Sequence, residues 1–513
     1  MAYLLSFAFN MHDSSVVISN EKEVMLLLEG ERFFHSKKIG CSAEQMEQLI
    51  LAALNYCKLD PEDVSVWIST GFQNKFLKRE HFTDHIEKRS VKFLGKKREL
   101  WLVNHHLAHA GSSLAFDIRN ALIYVSDGGG DFRIKNMGYR LKNRLIEEPI
   151  LISPQAMTGT FYQHCSRFIY GTYNCEGSFM ALSAYGEPVA YQVKKLNSMI
   201  EALSNSKTPD AVSFLHKHFG NLSLKGKQEF YKAADFAASV QYVFIHTRKQ
   251  DISEFINSQQ PSESGNIVLA GGTCLNISCN RELHCQWPGK KIRIAPCCDD
   301  TGQALGALLV YSSELAFYPK VSFPFLGRGY DREFSTASLK QVVDELVQGK
   351  IVIFHYGREE VGPRALGHRS LFCRPDDLET SKKLSVTVKG RAWYRPLAPM
   401  VLSSYSPLWF DGPLESPYML NRGLAHKVAL SDAPAVIHCD RSSRFQTIES
   451  NDNDIRYRLL SMFKEATGLP LLVNTSLNGP GEPICSTEED TLRFYKLNKS
   501  KGLSLFLNDV VFK

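Results

Sequence analysis

The pattern that most constrains the fold occurs twice: hairpin strands first, then helices and strands in alternation. In the first copy, residues 2–9, 14–19 and 23–30 read as strands, with Ser19-Asn20-Glu21-Lys22 as a turn. A helix is predicted over 42–58, where Met46, Leu49, Ile50, Ala53 and Leu54 recur at helical spacing. Strands follow at Val64–Ile68 and at Glu99–Val103. In the second copy, Ala121–Ser126 reads as a buried strand ending in Asp127-Gly128-Gly129-Gly130-Asp131. Asn266–Ala270 runs straight into Gly271-Gly272, Lys291–Ala295 is another strand, and 304–315 is a helix. A helix-rich stretch at 188–262, with a polar tip at Ser204–Pro209, reads as an insertion.

This doubled arrangement is that of the duplicated, actin-like ATPase fold. At 513 residues the chain is long enough for more than one core. Breakers such as Tyr318-Pro319, Phe323-Pro324 and Gly327-Arg328-Gly329 mark 317–345 as a linker. A first domain over 1–330 and a second α/β domain over 340–513 are expected, the latter opening with a helix and the strand Lys350–His355. The twelve cysteines include no Cys-x-x-Cys pair, so reduced thiols in a cytoplasmic protein are expected. The apolar first residues lack a positive leader region and read as a strand, and no run reaches membrane-spanning length. A net charge of +6 is mild, and the basic run Lys88–Arg98 lacks interleaved aromatics, which argues against nucleic acid as a partner.

Chemistry concentrates in two regions. In His105-His106-Leu107-Ala108-His109, a helical turn would put His105 and His109 on one face, close enough to hold a single cation. Imidazole suits zinc, iron or nickel. The alternative is a pair of helix-start histidines bonded to backbone. Asp127 and Asp300 both fall at strand ends, where open α/β sheets collect ligands; an N-cap is the other reading of Asp300. The Gly271-Gly272 turn and Asn276 fit a nucleotide-docking position in the second repeat. Lys37 and Lys38 can reach a phosphate or stay solvated. In the C-terminal domain, Arg358, Arg364, Arg369, Lys389, Arg391, Arg395 and Arg444 lie in loops, and Asn474, Ser476 and Asn478 follow the strand Leu471–Val473. Arginine forks beside glycines suit phosphate, so these segments predict a phosphate or nucleotide pocket.

Ten segments, in order along nearly the whole chain, resemble the O-carbamoyltransferases of natural-product and nodulation-factor biosynthesis. They are His12-Asp13-Ser-Ser, Glu31-Arg32-Phe33 with Lys37, Asn104–His109, Ser126–Asp131, Glu176–Gly186, Gly271–Asn276, Asp300-Thr-Gly302, Gly362–Gly367, Arg395–Pro399 and Asn474–Asn478. The resemblance implies a first domain like the tRNA threonylcarbamoyl transferase and a second like the YrdC family. It implies ATP and carbamoyl phosphate as co-substrates: carbamoyladenylate forms in the second domain, and the carbamoyl group passes in the first to a hydroxyl of a small natural product, as in antibiotic biosynthesis. It further implies a metal, iron in relatives, on His105, His109, Asp127 and Asp300, with magnesium accompanying ATP. His12 and His109 would be catalytic. Lys37, Asp127, Gly128, Gly129, Gly271, Gly272, Asn276, Arg364, Lys389, Arg391, Arg395, Arg444, Asn474, Ser476 and Asn478 would bind the co-substrates.

The chain departs from the family pattern at Ser178, where relatives carry lysine, and at Asn10, where a relative carries an acid. The acceptor is expected beside Asn10, His12 and Asp13, and a neutral Asn10 points to a polyketide, sugar or alkaloid rather than a strongly cationic molecule. Two rival readings are an actin-like small-molecule kinase, which needs neither the histidine pair nor the arginine-rich domain, and a degenerate nucleotide-binding paralogue. A homodimer is compatible with the sequence.

Overall fold

The structure, a computed structural model, describes residues 2–70, 86–130, 134–151, 158–204, 211–259, 265–413 and 415–512. Asp131 and the polar tip 205–209 lie outside them. The first sheet is built from β1 (Tyr3–Ala8), β2 (Ser15–Asn20), β3 (Val24–Glu29), β4 (Val64–Thr70), β5 (Ile86–Phe93) and β6 (Lys96–Val103), in the order β3-β2-β1-β4-β6-β5. The apolar alternation of the first thirty residues folds back twice, so β1, β2 and β3 pair antiparallel, whereas β4 and β6 add parallel to β1. The helix Ala43–Tyr56 covers this sheet. Ser42 and Gln45 form a reciprocal capping box at its start, and Met46, Leu49, Ile50, Ala53 and Leu54 are its buried face.

The second sheet repeats the plan. It contains β7 (Ala121–Ser126), β8 (Asn136–Lys142), β9 (Leu145–Ile146), β10 (Ile150–Leu151), β11 (Asn266–Ala270) and β12 (Lys291–Ile294), in the order β10-β8-β7-β11-β12, with β9 paired to β8. Again the first strands pair antiparallel and the last two add parallel. A meander followed by parallel strands, present twice in the same order, is the duplicated actin-like arrangement. Among the described residues between β10 and β11 the regular structure is helical, and the long helix Lys227–Asn257 buries Phe236 and Phe244 against Phe161 and Phe179.

The C-terminal part is a mixed α/β unit. Its strands are β13 (Val352–His355), β14 (Arg369–Cys373), β15 (Ala398–Leu402), β16 (Phe410–Asp411), β17 (Arg422–Ala425), β18 (Ser442–Arg444), β19 (Gln446–Ile448), β20 (Leu471–Ser476), β21 (Ser504–Leu507) and β22 (Val510–Phe512). Seven of them form one sheet, β19-β15-β20-β14-β13-β21-β22, and β16-β17-β18 form a small second one. Two local expectations are corrected. The helix expected to open the second domain starts earlier, inside the segment read as a linker: it spans Thr336–Val347, is capped by the Ser335 side chain and is buried along Leu339, Val342, Val343 and Leu346. The strand expected to end at Val473 runs to Ser476, because Thr475 and Ser476 continue the ladder with β14.

The helix His105–Gly111 follows the first sheet and the helix Gln303–Glu314 follows the second, and the two touch backbone to backbone. A Cβ on Gly306 would stand 1.7 Å from the Ala108 carbonyl oxygen, and one on Gly111 would stand 2.2 Å from the Gly306 carbonyl oxygen. Only glycine permits that approach. Gly306→Ala is therefore expected to lower the unfolding free energy by about 1–3 kcal/mol or more, read as a fall in thermal midpoint. Gly128→Ala, whose Cβ would meet nothing within 4 Å, should leave the midpoint where it is.

Candidate active site

The glycine contact brings together side chains from both repeats. His105 and His109 lie on one face of their helix, whose start is capped by the Asn104 side chain. Asp127 follows β7, and Asp300 precedes the helix that begins at Gln303. One ligand atom from each of His105, His109, Asp127 and Asp300 lies within 4.8 Å of the others. His105 Nε2 is 3.1 Å from Asp127 Oδ2, and His109 Nε2 is 3.2 Å from Asp300 Oδ1. The N-cap reading of Asp300 passes to its neighbour: Asp299 accepts from the Thr301 amide at 3.3 Å. Asp300 is thereby left to face the histidines.

Asp127 is fixed from the side opposite the histidines. Its Oδ1 accepts from the Gly272 amide at 3.1 Å. Gly271 makes this turn possible: its φ is +91°, and a Cβ there would stand 2.1 Å from the Ser126 carbonyl oxygen. Burial opposes charge on both partners, yet contact outweighs it. The carboxylates of Asp127 and Asp300 hold the His109 imidazole up to about 10, and His105 and His109 hold the Asp127 carboxyl well below the usual range. Two imidazoles and two carboxylates, almost wholly buried and converging, suit a borderline divalent cation.

His12 stands at the rim, its side chain 56 % exposed, with Nδ1 2.9 Å from Asp13 and 3.6 Å from Asp300. The Asp13 hydrogen bond holds this imidazole up to about 9. Asn10, by contrast, is buried and turned away from solvent, and its Nδ2 donates to Gln303 Oε1 at 2.9 Å. Asn10 thus joins the buried side of the histidine–aspartate group through Gln303 instead of lining the exposed rim with His12.

The expected anion pocket divides. Arg358 and Arg369, which look like phosphate ligands in the sequence, spend their guanidinium groups on backbone carbonyls: Arg358 on Met25, Leu326 and Gly327, Arg369 on Tyr356, His368, Gly357, Ser486 and Arg328. Lys389 is buried with its ammonium on the Ser476 and Asn478 oxygens. Asn276 caps the helix Ile277–Gln286 and pairs with the Gln241 amide. Asn474 donates to Ala365 and Gln446. These five residues hold the loops in place.

Arg364, Arg391, Arg395 and Arg444 remain, half-buried. Burial pushes all four down, Arg391 to about 9, and neighbouring guanidinium groups add to the shift of Arg364, Arg391 and Arg444. Among the described residues none of the four is in an ion pair, and the Nε atoms of Arg364 and Arg444 have no hydrogen-bond partner. Arg391 donates to the Thr475 hydroxyl at 2.7 Å. Lys37, from the first repeat, joins the same group, its ammonium destabilised by burial and by Arg395, Arg391 and Arg364. Glu31 offsets part of the charge at Lys37 and Asp299 part of that at Arg364, and a cluster still so rich in cations suits a polyanion.

The cation cluster and the histidine–aspartate group are neighbours. The loop carrying Arg364 docks on the second repeat, where Gly362, at φ +89°, lies so close to Pro296 that a Cβ would stand 2.2 Å from its carbonyl oxygen. Asp299 and Cys298 are both within Coulomb range of Arg364. The docking is held by a buried network. Arg32 meets Glu29 at 3.0 Å and Glu359 at 3.3 Å and donates to the Gly362 carbonyl at 2.7 Å, while the Gly362 amide donates to Glu29 at 2.6 Å. Sequence reasoning missed Glu29, Glu359 and Gln303. For Gln303 a signal was present, as the one polar residue in the otherwise apolar run Gln303–Val310.

Residues 55–309 match the carbamoyltransferase N-terminus and residues 343–513 the carbamoyltransferase C-terminus. The chain belongs to the carbamoyltransferase family and is a transferase. It is 26% identical over 431 residues to nodulation protein NolO of Bradyrhizobium diazoefficiens, covering 78% of this chain and 77% of that one. It is 25% identical over 523 residues to the 3'-hydroxymethylcephem-O-carbamoyltransferase of Streptomyces clavuligerus, covering 94% of each. It is 25% identical over 533 residues to nodulation protein U of Azorhizobium caulinodans, covering 92% of each. No helix among the described residues is long and apolar enough to cross a membrane.

Removing the Arg32 guanidinium strands two buried carboxylates. Arg32→Met is expected to cost about 3–5 kcal/mol, measured by urea denaturation of the full chain.

Proposed function

We propose that the protein is an ATP-dependent O-carbamoyltransferase with two linked sites. At the cation cluster, carbamoyl phosphate is hydrolysed to carbamate and phosphate. The carbamate oxygen then attacks the ATP α-phosphorus, giving carbamoyladenylate and pyrophosphate. At the histidine–aspartate group a hydroxyl of a small molecule attacks the carbamoyl carbon, AMP leaves, and the O-carbamate forms. In this reading the chain divides into a transfer domain over 1–330 and a YrdC-like adenylate-forming domain over 340–513.

The observation that carries the reading is the juxtaposition of Lys37, Arg364, Arg391, Arg395 and Arg444, five cations with Glu31 near Lys37 and Asp299 near Arg364 as acidic neighbours, beside the Asp299–Asp300 edge of a buried cation-binding group. Phosphate oxygens are taken up by arginine forks, which neutralise charge as pyrophosphate departs. A divalent cation on His105, His109, Asp127 and Asp300, iron by likeness to the family, would polarise a phosphate oxygen and favour departure of AMP. With His109 facing that cation, the His12–Asp13 pair at the rim is the candidate to orient the acceptor hydroxyl; held up to about 9, His12 receives the proton only as the neutral imidazole, so transfer quickens as pH rises toward 9. The acceptor then enters beside His12, on the solvent side of the same group. An acceptor of the kind named by the cephem relative, a small hydroxymethyl compound, matches this exposure.

ATP and carbamoyl phosphate together are expected to release pyrophosphate, whereas a kinase would give ADP and a binding module neither product. Arg444 feels only other cations and sits on β18, far from the histidines in the chain. Arg444→Ala should slow pyrophosphate release about 10- to 100-fold, the loss of one charged hydrogen bond, while carbamoyladenylate supplied from outside is still consumed with AMP release. Equal loss of both reactions would refute the two-site division.

A further inference from the structure

Gln303 is fully buried. Its side-chain nitrogen lies 2.9 Å from His109 Nε2, 3.1 Å from His105 Nε2, 2.9 Å from His105 Nδ1 and 3.0 Å from Asp300 Oδ1. One terminal atom therefore touches three of the four groups assigned to the cation. Adjacent ligands of a six-coordinate cation at about 2.1 Å stand about 3 Å apart, which is the spacing found between the Gln303 atom and its three neighbours. The amide occupies the position of a further ligand.

What faces that position is set by a short relay. Gln303 Oε1 accepts from Asn10 Nδ2 at 2.9 Å, and Asn10 Oδ1 accepts from the Thr70 hydroxyl at 3.4 Å. An amide–amide bond survives a half-turn of both amides, with Gln303 then donating to Asn10 Oδ1. A hydroxyl both donates and accepts, so Thr70 suits either polarity. In one orientation the Gln303 N–H groups point at the carboxylate and imidazoles. In the other its carbonyl oxygen, a neutral donor, takes their place.

Building on the assignment of the cation site above, we propose that Gln303 is a fifth donor of that site. It presents its carbonyl oxygen to the bound cation, and Asn10 acts as the positioning residue that turns with it. Two imidazoles, two carboxylates and a carbonyl oxygen suit a five- or six-coordinate cation better than tetrahedral zinc.

The test uses Co²⁺ alone as probe, added to the metal-stripped full-length protein, with affinity and the d–d absorption both recorded. The wild type is expected to show the weak bands of five or six ligands. Gln303→Leu should bind Co²⁺ 10- to 100-fold more weakly, with the stronger bands of four ligands. Gln303→Glu, which keeps an oxygen at that position and adds a negative charge to the donor set, should keep the weak bands, shifted in position, and bind Co²⁺ more tightly than wild type. If Gln303→Leu binds with wild-type affinity and spectrum while His105→Ala does not bind, the cation site stands and Gln303 is not a donor. If Gln303→Leu fails to fold, as judged by circular dichroism, Gln303→Glu decides: an affinity and spectrum both identical to wild type overturn the proposal. If wild type binds no Co²⁺, or His105→Ala binds it equally well, the cation site itself falls, and the role of Gln303 with it.

Discussion

The structure depends on one close approach, the backbone of Gly306 against the carbonyl of Ala108. Everything that gives the buried site its composition follows from it. The two helices that meet there occupy equivalent places in the two repeats, so the site lies on the axis of duplication and draws on both. The first repeat supplies two imidazoles. The second supplies Asp127 from a strand end and Asp300 and Gln303 from a helix start. A methyl group at Gly306 would push the imidazoles away from the carboxylates, and the charges of both would be buried alone. The Gly271 turn plays a smaller version of the same part, since it delivers the Gly272 amide to the outer oxygen of Asp127.

The second organising force is repulsion. Arg358, Arg364 and Arg369 lie within a dozen residues of one another, and their fates differ because of what surrounds each guanidinium. Arg358 and Arg369 are enclosed by carbonyl oxygens and act as struts. Arg364 has other arginines for company. Like charges held together by the fold store free energy, and a polyanion that enters releases it. A phosphate-bearing ligand at this cluster would complete the electrostatics that the chain leaves open.

The strand pattern of both repeats was legible because apolar alternation and strand–glycine junctions are local signals. The His105/His109 pair was legible for a similar reason, since a spacing of four on a helix can be read from the chain itself. Asp300 needed the fold: only the capping of Thr301 by Asp299 shows which of two adjacent aspartates is left to face the histidines. Asn10, Asn276 and Lys389 are polar residues in the right segments whose side chains turn inward, and direction is not encoded in spacing. Glu29, Arg32 and Glu359 form a network across more than three hundred residues of sequence, a distance over which no periodicity speaks.

That network also bears on how such a protein could be recombined. The loop from Gly357 to Arg369 belongs to the C-terminal sheet by connectivity, yet Arg32 of the first repeat holds its turn and Pro296 of the second repeat lies against it. The seam between the two halves is therefore not a blank joint. A chimaera that exchanged one half for that of a distant relative would inherit one side of a buried charge lock without its key. An exchange of halves that preserves the seam would have to carry Glu29, Arg32, Glu359 and Gly362 together, whatever the linker between them does.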